Sequence, residues 1–273
     1  MLRMESEAGW WLITHPDHAH LAGDFAAAWG NAQFRRPEPR VRVLKGIACH
    51  DDGWAARDAH PCITHQGKPS AFSRELVGKY SAFEEIDLEE YLAVRDRAVR
   101  IIAEEDPYAG LLISKHTYNL LTAHAGRSTI APEGLVLLDS FLSRQQEYQD
   151  ELRSAIASDA SLTEAEKAEQ TILEHFRLLQ ACDNLSLLAC VAYDSPAHLL
   201  HPLPLNDGGN AEVSVHPLAP RHFRLTPWPF AQPQLIFNFP ARHIAGKLFS
   251  DAQAFQTAFH AAPIEQLTVM LSA

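Results

Sequence analysis

The sequence predicts a mainly α fold: a helical bundle over residues 1–194, with a small, β-rich α+β appendage over 195–273 packed on it. Apolar stripes at helical spacing run through the first two thirds of the chain. Prolines and short alternating segments crowd the last third. At 273 residues, 47% of them apolar and 21% charged, the chain can bury a sizeable core.

Taken in order, "GWWLIT" (9–14) reads as a short strand able to join the later sheet. "HPDHAHLAGDFAAAWG" follows as a helix, with Pro16 suited to its first turn and Gly30 to stopping it. His18, Ala22, Phe25 and Trp29 share one face. After the connector "FRRPEPR", the stretch "VRVLKGIACHD" is a second helix with Val43, Ile47 and His50 in register. Residues 57–83 lack periodicity, and so long an irregular stretch reads as a functional loop or lid.

Asp87, with Glu90 three residues on, caps a helix that Pro107 breaks. The next helix carries Leu112, His116 and Leu120 on one line and closes at Gly126. Pro132 opens another. Ser161 with Glu164 is a capping box predicting one long helix to Tyr193, with the apolar line Ile172, Phe176, Leu179, Asp183, Leu187, Cys190. Beyond 195, "AEVSVHP", "FRLTPWPF" and "QLIFNF" read as strands, "DAQAFQTAFHAA" as a helix and "QLTVML" as a last strand.

Acids outnumber Lys plus Arg by 34 to 23, a net charge of −11, which argues against bulk nucleic-acid binding but not against a small anionic substrate held by a metal. No apolar run approaches a bilayer span, and the opening stretch has no apolar signal region. The four cysteines form no C-x-x-C pattern. A cytoplasmic protein with no membrane partner is expected, and a homo-oligomer is compatible with the sequence. The P-loop, G-x-S-x-G, H-E-x-x-H and Rossmann signatures are absent.

Fifteen histidines are the compositional oddity. Four helices each place a candidate metal ligand on or beside an apolar face: His18, His50 with Asp51, His116, and Asp183. Taken singly, each has a plainer explanation. His18 and His116 could be hydrogen-bonded core histidines, "HDD" a solvated helix end, and Asp183 a partner for Arg177. Together, imidazole nitrogens and carboxylate oxygens suit a divalent metal ion such as Fe, Mn or Zn with positions left open. A carboxylate in an apolar stripe must be paired, metal-bound or protonated.

The order His, then His-Asp at the end of the next helix, then a distant Asp on a late helix resembles the HD-domain superfamily of metal-dependent phosphohydrolases. "PDHAHLAGDFAAAW", "IACHDDGW", "DPYAGLLISKH" and "LQACDNLSLLAC" also resemble blocks of an uncharacterised bacterial family, a domain of unknown function. The likeness covers roughly residues 10–195. It implies an HD-like helical bundle in which His18, His50, Asp51 and Asp183 ligate one metal, with one or two ions per chain. His116 would match the extra histidine of dinuclear members or contact substrate; His60, His65 or His124 would supply a further ligand, and His175 would orient one. The doublet is followed by "DGW", where the commonest HD context continues with an apolar residue, Gly and Lys.

The implied activity is metal-dependent hydrolysis of a phosphate ester of a small molecule or nucleotide. Asp51 would orient water or accept its proton, and His116 would stabilise the leaving oxygen. Arg57, Lys68 and Lys115 are candidate phosphate contacts. Two alternatives stand beside it: an HD-type di-iron oxygenase, and a non-catalytic metal- or ligand-binding protein.

Overall fold

The structure is a computed structural model describing residues 1–77, 87–123 and 130–273. The chain begins with two strands, β1 (Leu2–Glu5) and β2 (Gly9–Ile13), and passes through Thr14 into helix α1 (His15–Ala28). Helix α2 (Arg40–Ala48) is followed by a turn of 3-10 helix (Asp52–Trp54) and the short α3 (Ala55–Asp58). Four longer elements complete the helical layer: α4 (Leu88–Glu105), α5 (Pro107–Ala123), α6 (Pro132–Ser158) and α8 (Glu169–Cys190), with the single turn α7 (Glu164–Lys167) preceding α8. Strands β3 (Ala197–His198), β4 (Leu203–Pro204), β5 (Asn210–Ala211), β6 (Ser214–Ala219), β7 (His222–Thr226) and β8 (Gln234–Ala245) follow, then α9 (Ala252–Ala261) and β9 (Ile264–Ser272).

Seven strands form one mixed sheet in the order β1-β2-β8-β9-β7-β6-β3; β4 and β5 pair separately. Every neighbouring pair in the large sheet is antiparallel except β7 with β9. This corrects the expected mainly α, HD-like bundle with an appendage: the protein is α+β, built around a sheet that takes β1 and β2 from the start of the chain. Pairing of Trp11 with His243 spans more than 230 residues of sequence. The run at 9–14 thus joins the later sheet as expected, though local periodicity does not encode which strand it pairs with.

The burial pattern shows why the sheet holds the helices. In β2, Trp10 and Leu12 face α9 through a cluster with Ile244, Phe255 and Phe259, while Ile13 enters the main core. That main core is continuous across both layers, joining Phe25, Val43, Ile47, Leu112 and Leu179 from the helices to Phe223, Phe239, Val269 and Leu271 from the strands. Phe25 packs edge-on against Phe237 of β8, their ring centroids 4.9 Å apart. The "PWPF" turn packs the same way: Phe230 lies edge-on to Trp29, and the Pro229 carbonyl accepts the Gly30 N–H at 3.0 Å.

Local sequence rules set most helix ends. Thr14 caps α1, accepting the Asp17 N–H at 3.1 Å, and Asp87 caps α4, accepting the Glu90 N–H at 2.9 Å. The expected long helix from Ser161 is two helices. The working capping box is Thr163 with Glu166, one of two overlapping matches to the same pattern, and the Ser161 hydroxyl instead donates to Asp159. In the 57–83 segment, the described part is tied to β1, with the Arg3 N–H on the Phe72 carbonyl at 2.7 Å and the Phe72 N–H on the Met1 carbonyl at 2.9 Å. The remainder of that segment, and the expected helix end at Gly126, lie outside the described residues. Among the described residues no helix is long and apolar enough to cross a membrane.

Candidate metal centre

His18, His50, Asp51, His116 and Asp183 come together in the helical layer, each less than 9% exposed. They form two overlapping groups, His18–His50–Asp51 and His50–His116–Asp183, in each of which the ligand atoms lie within 4.8 Å of one another. Four elements deliver them. Helix α1 buries His18 along the stripe with Leu21, Ala22 and Phe25, α5 carries His116, and α8 carries Asp183. His50 and Asp51 occupy the turn between α2 and the 3-10 helix. Small residues let these elements approach. A Cβ on Gly23 of α1 would meet Ala48 Cβ of α2 at 2.6 Å, and one on Gly53 would meet the Val94 carbonyl oxygen of α4 at 2.4 Å.

Hydrogen bonds to the outer ring nitrogens fix what the inner nitrogens can do. His50 Nδ1 lies 2.7 Å from the Ile47 carbonyl oxygen in the last turn of α2. A carbonyl only accepts, so Nδ1 carries the proton and Nε2 of the neutral ring carries the lone pair. That Nε2 is buried, has no hydrogen-bond partner among the described residues, and lies 3.3 Å from Asp183 Oδ1, off the direction a hydrogen bond requires. His18 is held in the same sense. Its Nδ1 is 2.9 Å from Ser186 Oγ, whose own proton goes to the Asp183 carbonyl at 2.8 Å. His18 Nδ1 is therefore the donor, and its Nε2 faces Asp51 Oδ2 at 3.1 Å.

Two imidazole nitrogens thus lie beside two carboxylates, acceptor near acceptor. Such an arrangement needs a cation or an added proton between the partners. His116 adds a third nitrogen, with Nε2 3.8 Å from Asp183 Oδ2 and Nδ1 buried without a partner among the described residues. Burial holds its pKa down to about 3, so the ring is neutral and able to ligate.

The charges around these rings are unequal. Burial opposes charge on His50, but Asp51 and Asp183 outweigh it and raise the pKa to about 9: without a cation, a proton takes the place between them. Burial likewise opposes charge on Asp183, and the surrounding imidazoles, His50 foremost, hold it at about 2. For Asp51 burial is overcome chiefly by Arg95, which keeps this carboxylate far below the usual range. Arg95 NH1 donates to Asp51 Oδ1 and its Nε donates to the Tyr91 hydroxyl at 3.2 Å, so Oδ2 is the oxygen left for the centre. Trp54 closes this side, its ring 5.4 Å from the Arg95 guanidinium carbon and stacked on His15 at 4.2 Å.

The other histidines stand apart. His20 is exposed beside Asp52, and His60 and His65 are on the surface. His175 is buried, but its Nδ1 meets the Tyr108 hydroxyl at 2.8 Å rather than orienting any of the five. His124 lies outside the described residues. Arg57 pairs with Glu90 at 3.3 Å and Lys115 with Glu169 at 2.8 Å. Arg95 and Ser186 are the residues that sequence reasoning missed. Arg95 had the same signal as Asp183, a charge within the buried stripe Tyr91, Val94, Ala98, Ile102. Ser186 lies one turn beyond Asp183.

The sequence model of a family described as a protein of unknown function (DUF3891) matches residues 1–246. The chain belongs to this family. The DUF3891 match spans all five cluster residues and runs past residue 195 through β8, so it takes in helices and sheet together. It carries no HD-domain assignment, and the likeness to that superfamily rests on residue order alone. No curated protein and no solved structure matches the chain.

Proposed function

We propose that this DUF3891 protein is a divalent-metal-dependent hydrolase acting on a small phosphate ester. The observation that carries the reading is the close approach of two buried imidazole nitrogens, His18 Nε2 and His50 Nε2, to the carboxylates of Asp51 and Asp183, at 3.1 and 3.3 Å. The donor set is nitrogen and oxygen only. Cys49 and Cys182 adjoin His50 and Asp183 in sequence, yet burial raises both thiols, Cys49 to about 12, and neither belongs to the cluster. A thiolate-free His/Asp set suits Zn, Mn or Fe with a position left for water.

His50 belongs to both groups, and with Nδ1 bonded to the Ile47 carbonyl it has Nε2 alone to offer one ion, so the cluster reads as a single centre: His18, His50, Asp51 and Asp183, with His116 beside it. A cation bound there supplies Lewis acidity and lowers the pKa of water. The chain's own residues do the rest. Asp51, fixed by Arg95, stays ionised and can orient water or take its proton. Neutral His116 contacts the leaving oxygen or completes the coordination. The Arg95 guanidinium brings positive charge to the centre, which suits a phosphorylated substrate.

Burial favours a second reading, a metal that only holds the helices together: the most exposed side chain of the set, Asp183, is at 11%. Assay of wild type and Asp51→Asn against phosphomonoester and phosphodiester panels with Mn, Zn or Fe(II) separates the two. The hydrolase reading expects metal-dependent turnover that falls at least 100-fold in Asp51→Asn. Metal that raises thermal stability without turnover on any substrate would favour the second.

A further inference from the structure

We infer that a cleft remote from the metal centre binds a small oxyanion-bearing molecule through Arg221. The cleft, of about 580 Å³, lies where the β1–β2 hairpin, the 73–75 turn, the end of α8 and the β6–β7 turn meet. Arg3, Trp11, Tyr193, Leu218 and Arg221 are among the residues that line it.

Arg221 is unusual in two independent ways. Its backbone is in the left-handed region, φ +57°, which a residue with a Cβ adopts only when its surroundings hold it there. Strand β9 does so: the Arg221 carbonyl accepts the Met270 N–H at 2.9 Å, and Nε donates to the Thr268 carbonyl at 3.2 Å. The guanidinium is also half-buried without a counter-ion. NH1 reaches only the Met4 thioether, at 3.3 Å, and no carboxylate lies within ion-pair distance among the described residues. Burial lowers its pKa, as expected for a cation without a partner. Of five N–H donors, the NH2 pair and one NH1 proton are left for a ligand.

The acids of the cleft do not compensate it. Glu5 is held by Lys247 at 2.6 Å, Asp194 by Arg74 at 2.6 Å, and Glu75 by the Ser73 hydroxyl at 2.5 Å. A fixed, partly desolvated guanidinium with its NH2 protons and one NH1 proton unused matches a carboxylate or a phosphate. Trp11, Tyr193 and Leu218 would border the body that carries it. This site does not depend on the metal-centre reading.

Isothermal titration with inorganic phosphate and with benzoate, on the full chain, tests it and separates a phosphoryl from a carboxylate ligand. At least one probe is expected to bind in the millimolar range or tighter, and tenfold or more weaker in Arg221→Gln. Arg224→Gln, at an exposed arginine on β7, is expected to bind as wild type does. Leu218, 45% exposed, gives a second variant should Arg221→Gln fail to fold: Leu218→Glu puts a carboxylate at the cleft and is also expected to weaken binding tenfold. Absence of binding by both probes to wild type, or unchanged affinity in the folded variants, would overturn the inference.

Discussion

His50 ties local helix structure to the candidate metal centre. Its Nδ1–H closes the last turn of α2 on the Ile47 carbonyl, and the same bond commits Nε2 to the centre. Asp51 depends in the same way on Arg95, a residue only 7% exposed. Replacing Arg95 by Met keeps much of its bulk but strands a buried carboxylate, which costs about 3 kcal/mol or more. Urea unfolding of metal-free Arg95→Met should show that loss, and the variant should bind metal more weakly once Asp51 Oδ1 is unanchored. At this scale much of the site was legible. Asp183 stood out as a charge within an apolar stripe, and His18 and His116 lay on helix lines that the structure buries; His50, expected in register on the second helix, is buried instead in the turn after α2 ends at Ala48. What could not be read were the bonds that fix ring tautomers, because the Ile47 carbonyl and the Ser186 hydroxyl carry no mark in composition or periodicity.

Between elements, the centre depends on close approach. Gly53 lets the turn bearing His50 and Asp51 rest on the α4 backbone, and Gly23 lets α1 lie against α2. Helix α8 adds a pH-sensitive anchor away from the candidate ligands: His175, 6% exposed and bonded to Tyr108, has its pKa lowered by burial to about 4. The folded state therefore prefers the neutral ring, and the unfolded chain binds the proton first, near pH 6.5. Its contribution is fully present above about pH 6.5 and is lost as pH falls toward 4. The difference amounts to about 3 kcal/mol. Unfolding midpoints of metal-free protein should fall over that window, and His175→Phe should flatten part of the slope; a slope unchanged by the substitution would count against the assignment. Element boundaries followed caps and prolines closely, except where Ser161–Glu164 and Thr163–Glu166 competed and geometry, not pattern, chose the second.

Across the whole molecule, the sheet is where sequence reading fell short. The longer strands after residue 195 and the short run at 9–14 were visible, and that run joins the later sheet as expected; β1, the two-residue strands β3, β4 and β5, and the order of the seven strands were not legible. Pairing partners more than 200 residues apart leave no local trace, and the helical stripes look the same whether they face other helices or a sheet. The resulting core runs unbroken from Leu179 to Val269. Residues 1–194 expressed alone would expose the helical side of that core and lose the β8 partner of β2. Such a fragment is expected to aggregate or to unfold without a cooperative transition by circular dichroism. A fragment that melts sharply as a monomer would show instead that the helical layer is self-sufficient.

The most direct measurement is metal content by mass spectrometry after reconstitution and desalting, for wild type and for His50→Gln and Asp183→Asn. About one tightly held divalent ion per chain is expected in wild type. Each variant should retain less than a tenth of that while keeping its helical circular-dichroism signal. A folded wild type that takes up no metal, or variants that hold as much as wild type, would contradict the centre.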